Sequence, residues 1–116
     1  MSIGIDIEEI GRFKKLIKDK KFIERIFSKD EIEYCSSKNF SVQVQHFAVR
    51  FAGKEAVWKA INGTAEYKKI LITDISFKNS LSGKPEVYIK NKKAKNIEVS
   101  FSHSQSTVVA VAILTV

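Results

Sequence analysis

One long helix, read from about Val42 to Ile61, constrains this chain most. Asn62-Gly63 closes it, since glycine takes the left-handed conformation that a helix C-terminus favours. Within it lies Arg50-Phe51-Ala52-Gly53-Lys54-Glu55-Ala56-Val57-Trp58-Lys59. Successive helical residues turn by about 100°, so Phe51, Glu55 and Trp58 share one face, with Ala48 and Ala52 beside them and Phe47 at its edge. An ionised carboxylate on an apolar stripe is costly unless a cation or a hydrogen-bond network receives it. Lys59 and Lys54 are candidate partners, and a metal ion is another.

The segments around that helix set the fold class. Ile3 to Ile7 alternates and reads as a strand, with Ile3, Ile5 and Ile7 on one face and Asp6 on the other. A basic amphipathic helix follows from about Arg12 to Lys18, with Phe13, Leu16 and Ile17 inward, and Phe22 to Phe27 adds another apolar turn. Ser28-Lys29-Asp30-Glu31 fits a capping box. After the long helix, strands are expected at Ile70–Phe77, Glu86–Lys90, Ile97–His103 and Thr107–Val116, with a turn at Ser82-Gly83-Lys84-Pro85. The last strand is apolar on both faces, as a central strand or a subunit interface requires. The expectation is one α+β domain over residues 1–116, its long helix packed on a curved, mostly antiparallel sheet.

Composition excludes several classes. No stretch is long and apolar enough to span a bilayer, and Met1-Ser2-Ile3-Gly4-Ile5-Asp6 lacks the basic start of a signal peptide. One cysteine, Cys35, allows no intrachain disulfide, so a cytoplasmic, reducing setting is expected. The net charge of +7 is uneven: Arg12, Lys14, Lys15, Lys18, Lys20, Lys21 and Arg25 cluster against only Asp19 and Glu24. Such a surface can dock an acidic partner.

Asp6 and Glu55 are candidate metal ligands, because two carboxylates with waters and phosphate oxygens suit octahedral magnesium. Taken alone, Asp6 reads first as an N-cap, and Glu55 as a ligand or as an ion pair with Lys59 or Lys54. His103 shares its strand face with Ile97, Val99 and Phe101, as a core histidine would, yet Ser100, Ser102, Ser104 and Ser106 beside it let a phosphate approach. Arg50 is one of three arginines in a lysine-rich chain, which suggests a fork-shaped contact to phosphate or carboxylate. No phosphate-binding glycine loop, zinc pattern or serine-nucleophile elbow is present.

These residues resemble the holo-[acyl-carrier-protein] synthase family of small phosphopantetheinyl transferases. The resemblance covers nearly the whole chain. It rests on Gly4-Ile5-Asp6-Ile7 with Arg12 close behind, on Arg50-Phe51-Ala52, Lys54-Glu55-Ala56 and Lys59, and on Gly63-Thr64. Gly83-Lys84-Pro85, Val99-Ser100-Phe101-Ser102-His103 and Val109-Ala110-Val111-Ala112 complete it. Glu98 and Gly53 depart from it, standing where many members have histidine and alanine. The resemblance implies a homotrimer with active sites between subunits. It implies Asp6 and Glu55 as ligands of Mg2+, with Asp6, Glu55 and Lys59 as the catalytic set. It puts Arg50, Lys59, Gly63 and His103 on coenzyme A, and Arg12, Lys15 and Arg25 on the acyl carrier protein. The implied reaction moves 4′-phosphopantetheine from coenzyme A to a carrier-protein serine and releases adenosine 3′,5′-bisphosphate. It belongs to fatty acid biosynthesis, and Glu55 or a metal-held water is the preferred base. A small basic nucleic-acid-binding domain is the competing reading, weakened because aromatic residues do not interleave with the basic runs. A purely structural trimer is the third.

Overall fold

The computed structural model describes residues 1–115. Its frame is the 22-residue helix α4, Phe40–Ile61. The helix begins two residues before the sequence pattern starts, because the Asn39 side chain caps it, accepting from the Val42 N–H at 3.1 Å. Gly63 does take a left-handed conformation just past its end, with φ +83°. Helix α4 is buried nearly all round rather than along one stripe. Ala48, Ala52, Ala56 and Ala60, one per turn, are all wholly buried. The face shared by Phe51, Glu55 and Trp58 is the margin of the packing, and all three side chains are half-buried.

Strands β1 (Ser2–Glu9) and β6 (Thr107–Leu114) pack on α4. Gly4 makes this possible: a Cβ there would collide with the Ala56 carbonyl oxygen and lie 2.7 Å from the Ala60 nitrogen. On β6, Ala110 and Ala112 are equally buried, so small residues let backbone approach backbone. Strand β6 is central in an antiparallel sheet ordered β1-β6-β5, with β5 at Ile97–His103. The expected Val116 at the end of the last strand lies outside the described residues.

The single curved sheet expected from the sequence is instead two sheets. The second joins β2 (Ile75–Asn79), β3 (Pro85–Ile89) and β4 (Lys92–Lys93), again antiparallel. Lys90 and Asn91 adopt positive φ, 50° and 67°, in a two-residue turn that folds β4 back onto β3. Strand β4 covers one edge of β3, and β5 pairs with β6 in the other sheet. The expected strand at Ile70–Phe77 is also shorter. Ile72–Asp74 is a 3-10 turn, held by the Leu71 N–H donating to the Asp74 carboxylate at 2.9 Å. The expected basic helix is a 3-10 turn, Ile10–Arg12, followed by the one-turn α1, Phe13–Leu16. Helix α2 (Lys20–Ile26) is capped by Asp19. Helix α3 (Lys29–Ser36) has the expected capping box of Ser28 and Glu31. Among the described residues, no helix is long and apolar enough to cross a membrane.

Sequence reasoning offered Lys54 to Glu55, but the lysine turns inward. Lys54 and Glu31 form an ion pair of 2.7 Å with both side chains 0% exposed. The ammonium also donates to the Ile75 carbonyl, and Glu31 accepts from the Phe77 N–H at 3.1 Å and the Ser28 N–H at 2.9 Å. Burial pulls the Lys54 pKa down, and the Glu31 charge pushes back. Losing one partner leaves an uncompensated buried charge, so Lys54→Met should cost about 3–5 kcal/mol in urea denaturation. Lys54→Met with Glu31→Leu should cost clearly less than the sum of the two single losses. Strictly additive losses would mean that the pair is not coupled.

Candidate active site

Alternation along β1 sends Gly4, Asp6 and Glu8 toward α4. Because Gly4 brings the strand against the helix, Asp6 reaches the Lys59 ammonium at 3.3 Å. Lys59 also donates to the Ile5 carbonyl at 2.9 Å. Glu8 pairs with Arg12 at 3.0 Å. Asp6 therefore caps no helix, and Glu55 pairs with neither Lys54 nor Lys59. The Glu55 carboxyl is pushed up by burial and then by the Asp6 charge, which Lys59 and Arg12 offset in part. Glu8 is pushed up to about 7, first by burial and then by the neighbouring Asp6 carboxylate. Three carboxyl groups thus crowd one margin of α4.

Among the described residues, no group of three or more His, Cys, Asp or Glu side chains is set to enclose a metal ion. Two carboxylates are nevertheless the protein share that magnesium takes when waters and substrate phosphates complete its shell. Asp6 Oδ2 is buried with no hydrogen-bond partner. An orphaned carboxylate oxygen among repelling carboxylates fits a hard cation.

A second group lies elsewhere on α4. Arg50 and Glu55 are five positions apart and so diverge by about 140° around the helix. Arg50 lines a cavity of about 300 Å³ with Tyr34, Gln45, His46, Phe77, Phe101 and His103 among its walls. Its guanidinium lies 4.5 Å from the centre of the Tyr34 ring. Its Nε is buried without a partner. His103 is exposed at the end of β5, not a core residue, and its Nε2 is 2.9 Å from Gln45 Nε2. The His46 ring centre is 5.5 Å from that of Tyr34. Gly53 supports the cavity: a Cβ there would meet Phe101 at 2.6 Å and Phe77 at 2.8 Å.

The sequence-derived candidates therefore fall into two groups. Asp6, Glu55 and Lys59 come together, and so do Arg50 and His103, but on different sides of α4. Gly63 is exposed in the turn after α4. Arg12, Lys15 and Arg25 are exposed on the helical segments after β1. Glu98 pairs with Lys84 at 3.0 Å on the surface. Sequence reasoning missed Glu8 and His46. Glu8 was findable, two residues beyond Asp6 on the same strand face. His46, which lines the cavity, carried no local signal, since its setting depends on Tyr34 and β5.

The 4′-phosphopantetheinyl transferase superfamily model matches residues 2–113. The chain belongs to this superfamily. Within it, the relatives are holo-[acyl-carrier-protein] synthases. That of Ehrlichia chaffeensis is 42% identical, over 98% of this chain and 95% of the relative. That of Treponema denticola is 38% identical, over 98% and 97%. A crystal structure of the Bacillus anthracis holo-(acyl-carrier-protein) synthase in complex with CoA (3′,5′-ADP) is 35% identical. It superposes with TM-score 0.80, over 97% of this chain and 94% of that one. The Helicobacter pylori synthase in complex with coenzyme A is 30% identical with TM-score 0.75, over 97% and 99%. This transferase is thus an enzyme of the holo-[acyl-carrier-protein] synthase class, and the expected α+β fold is the fold of that family.

Burial, then the charges of Arg50, Lys38 and His103, holds the His46 imidazole below its usual pKa of 6.5. The folded chain then binds fewer protons than the unfolded chain in the pH window below 6.5. Stability should rise with pH through that window and fall as pH drops. An NMR titration of the imidazole should give a midpoint below 6.5, and a midpoint at or above it would contradict the buried setting.

Proposed function

We propose that this chain transfers 4′-phosphopantetheine from coenzyme A to a serine hydroxyl of apo acyl carrier protein, releasing adenosine 3′,5′-bisphosphate. One transferase domain over residues 1–116 would work in the cytoplasm, in fatty acid biosynthesis. The observation that carries this reading is the orphaned, buried Asp6 Oδ2 beside Glu55 and Lys59. The coenzyme A complexes of the B. anthracis and H. pylori relatives support the substrate.

Asp6 and Glu55 would hold Mg2+, which when bound neutralises charge on the diphosphate of the substrate. The chain's own groups do the rest. Lys59, tethered to the Ile5 carbonyl and to Asp6, presents a fixed ammonium to a phosphate oxygen. Gly63, in the turn one helical turn past Lys59, leaves room for the substrate backbone. Glu55, which makes no ion pair among the described residues, or a water held by the metal would take the serine proton. Arg50 and His103 bind the remainder of coenzyme A. Arg12, Lys15 and Arg25 receive the acidic carrier, and Arg12 links that surface to the site through Glu8. No protein nucleophile is needed, so catalysis is mostly positioning and electrostatics.

A homotrimer with interfacial sites accounts for two further observations. The acidic and cationic groups occupy different sides of α4, as halves of sites completed by neighbours would. The outer face of β1 exposes Ile3, Ile5 and Ile7 by 58–65%, beside the half-buried Val109, Val111 and Ile113 of β6. Such a contiguous apolar face is expected to be covered.

Apo carrier protein, coenzyme A and Mg2+ should give a carrier of increased mass, and EDTA should abolish the gain. Glu55→Ala should lose at least about 100-fold in kcat/KM while keeping its fold, a loss of roughly 3 kcal/mol of transition-state stabilisation. Wild-type turnover by that variant would remove Glu55 from the site. In a second experiment, Glu55→Ala and His103→Ala chains, each weak alone, should regain activity after co-refolding, because some interfaces would combine two intact halves. No recovery in mixed oligomers would place both halves of the site on one chain.

A further inference from the structure

Among the exposed cations between Arg12 and Arg25, one is clamped and the others are not. Arg12 alone of that cluster has an ion-pair partner among the described residues. Its Nη1 donates to Glu8 Oε1 at 3.0 Å. The Glu8 side chain is only 10% exposed, while that of Arg12 is 54% exposed. The two do not share a helix: Glu8 lies near the end of β1, and Arg12 ends the 3-10 turn that follows. The guanidinium also lies over a packed pair of rings, 5.3 Å from the centre of Phe13 and 5.7 Å from that of Phe51. Those ring centres are 5.4 Å apart, and Phe51 stands one helical turn before Glu55 on α4.

A surface built only to attract an acidic partner would not contain Glu8. Its carboxylate lies beneath the basic cluster and cancels part of the attraction. A half-exposed ion pair adds little to stability in return. What the contact does supply is order. A free arginine gives up rotamer freedom when a partner arrives, and a clamped one has already lost it. The guanidinium carries five N–H donors and Glu8 takes one, so a fork remains for a second carboxylate. A lysine has no such rigid fork with which to serve two partners in fixed directions.

We propose that Glu8 is a positioning residue for the carrier protein. Acting through Arg12, it presets a fork for one carboxylate of that acidic partner, at the edge of the margin that holds Asp6 and Glu55. Glu8 has this role only where Arg12 meets the carrier, as the transferase reading above has it.

Fluorescence anisotropy of labelled apo acyl carrier protein against the whole protein, without coenzyme A or metal, tests the role. Charge and positioning predict opposite signs. Glu8→Ala removes a negative charge from a basic surface, so charge alone would tighten binding of the acidic carrier. Positioning instead predicts binding weakened by about fivefold, the scale of ordering one long side chain at an interface. Glu8→Gln removes the same charge but keeps an acceptor for Arg12, and it should bind at least as tightly as the wild type. In an Arg12→Ala background, Glu8→Ala should cause no further loss, whereas a fold defect would weaken that background too. Tighter or unchanged binding by Glu8→Ala overturns the proposal. A loss that persists without Arg12, or one that Glu8→Gln shares in full, also overturns it. A wild type that modifies the carrier while Glu8→Ala binds it normally loses only the role of Glu8. A wild type that neither binds nor modifies the carrier removes the transferase reading as well.

Discussion

The buried pair of Lys54 and Glu31 fixes how α4 is turned about its own axis. Lys54 must face α3 and β2, because that is where its carboxylate and the Ile75 carbonyl lie. Once it does, the neighbouring residues have no choice. Glu55, about 100° further round, meets β1 and Asp6, while Arg50, one turn before Lys54, meets Tyr34. A helix with alanines on its sheet-facing side and few bulky keys could otherwise rotate at small cost. The ion pair supplies the directional contact that apolar packing lacks, a use of buried charge better described as specification than as stabilisation.

The α4 helix consequently works as a divider. One margin collects carboxylates whose mutual repulsion a cation would relieve. Another side collects Arg50, buried without an ion-pair partner among the described residues, beside His46 and His103, a setting that an anion would suit. In the proposed reaction a single substrate, carrying several phosphate charges and meeting a metal ion, would supply both remedies. The two local imbalances are properties of the empty protein, and each lowers the gain of folding in exchange for a gain on binding.

Much of this was legible in the sequence because it is periodic. The alternation of β1 and β5, the capping box at Ser28 and the glycine past α4 all survive in the structure. So does the proximity of Asp6 to Lys59 and Glu55, residues more than forty positions apart that the packing of a strand on the long helix brings together. What failed was non-local. The partner of Lys54 lies on another helix, so proximity in sequence suggested Glu55 wrongly. The one-sheet expectation failed because the positive φ of Lys90 and Asn91 carries no glycine to announce it. His46 stayed hidden for the same reason, since its meaning comes from Tyr34 and His103.

Gly53 has a consequence of its own. It sits beneath the edge-to-face pair of Phe77 and Phe101, whose ring centres are 5.6 Å apart. Both rings also form the floor of the cavity that holds Arg50. The depth of that floor is therefore governed from behind, by a carbon atom the helix does not have. Under the proposed function, a flat heterocycle resting there would feel a methyl group added to the far side of two aromatic rings, and selectivity for the nucleoside would then drift through a position behind the cavity wall.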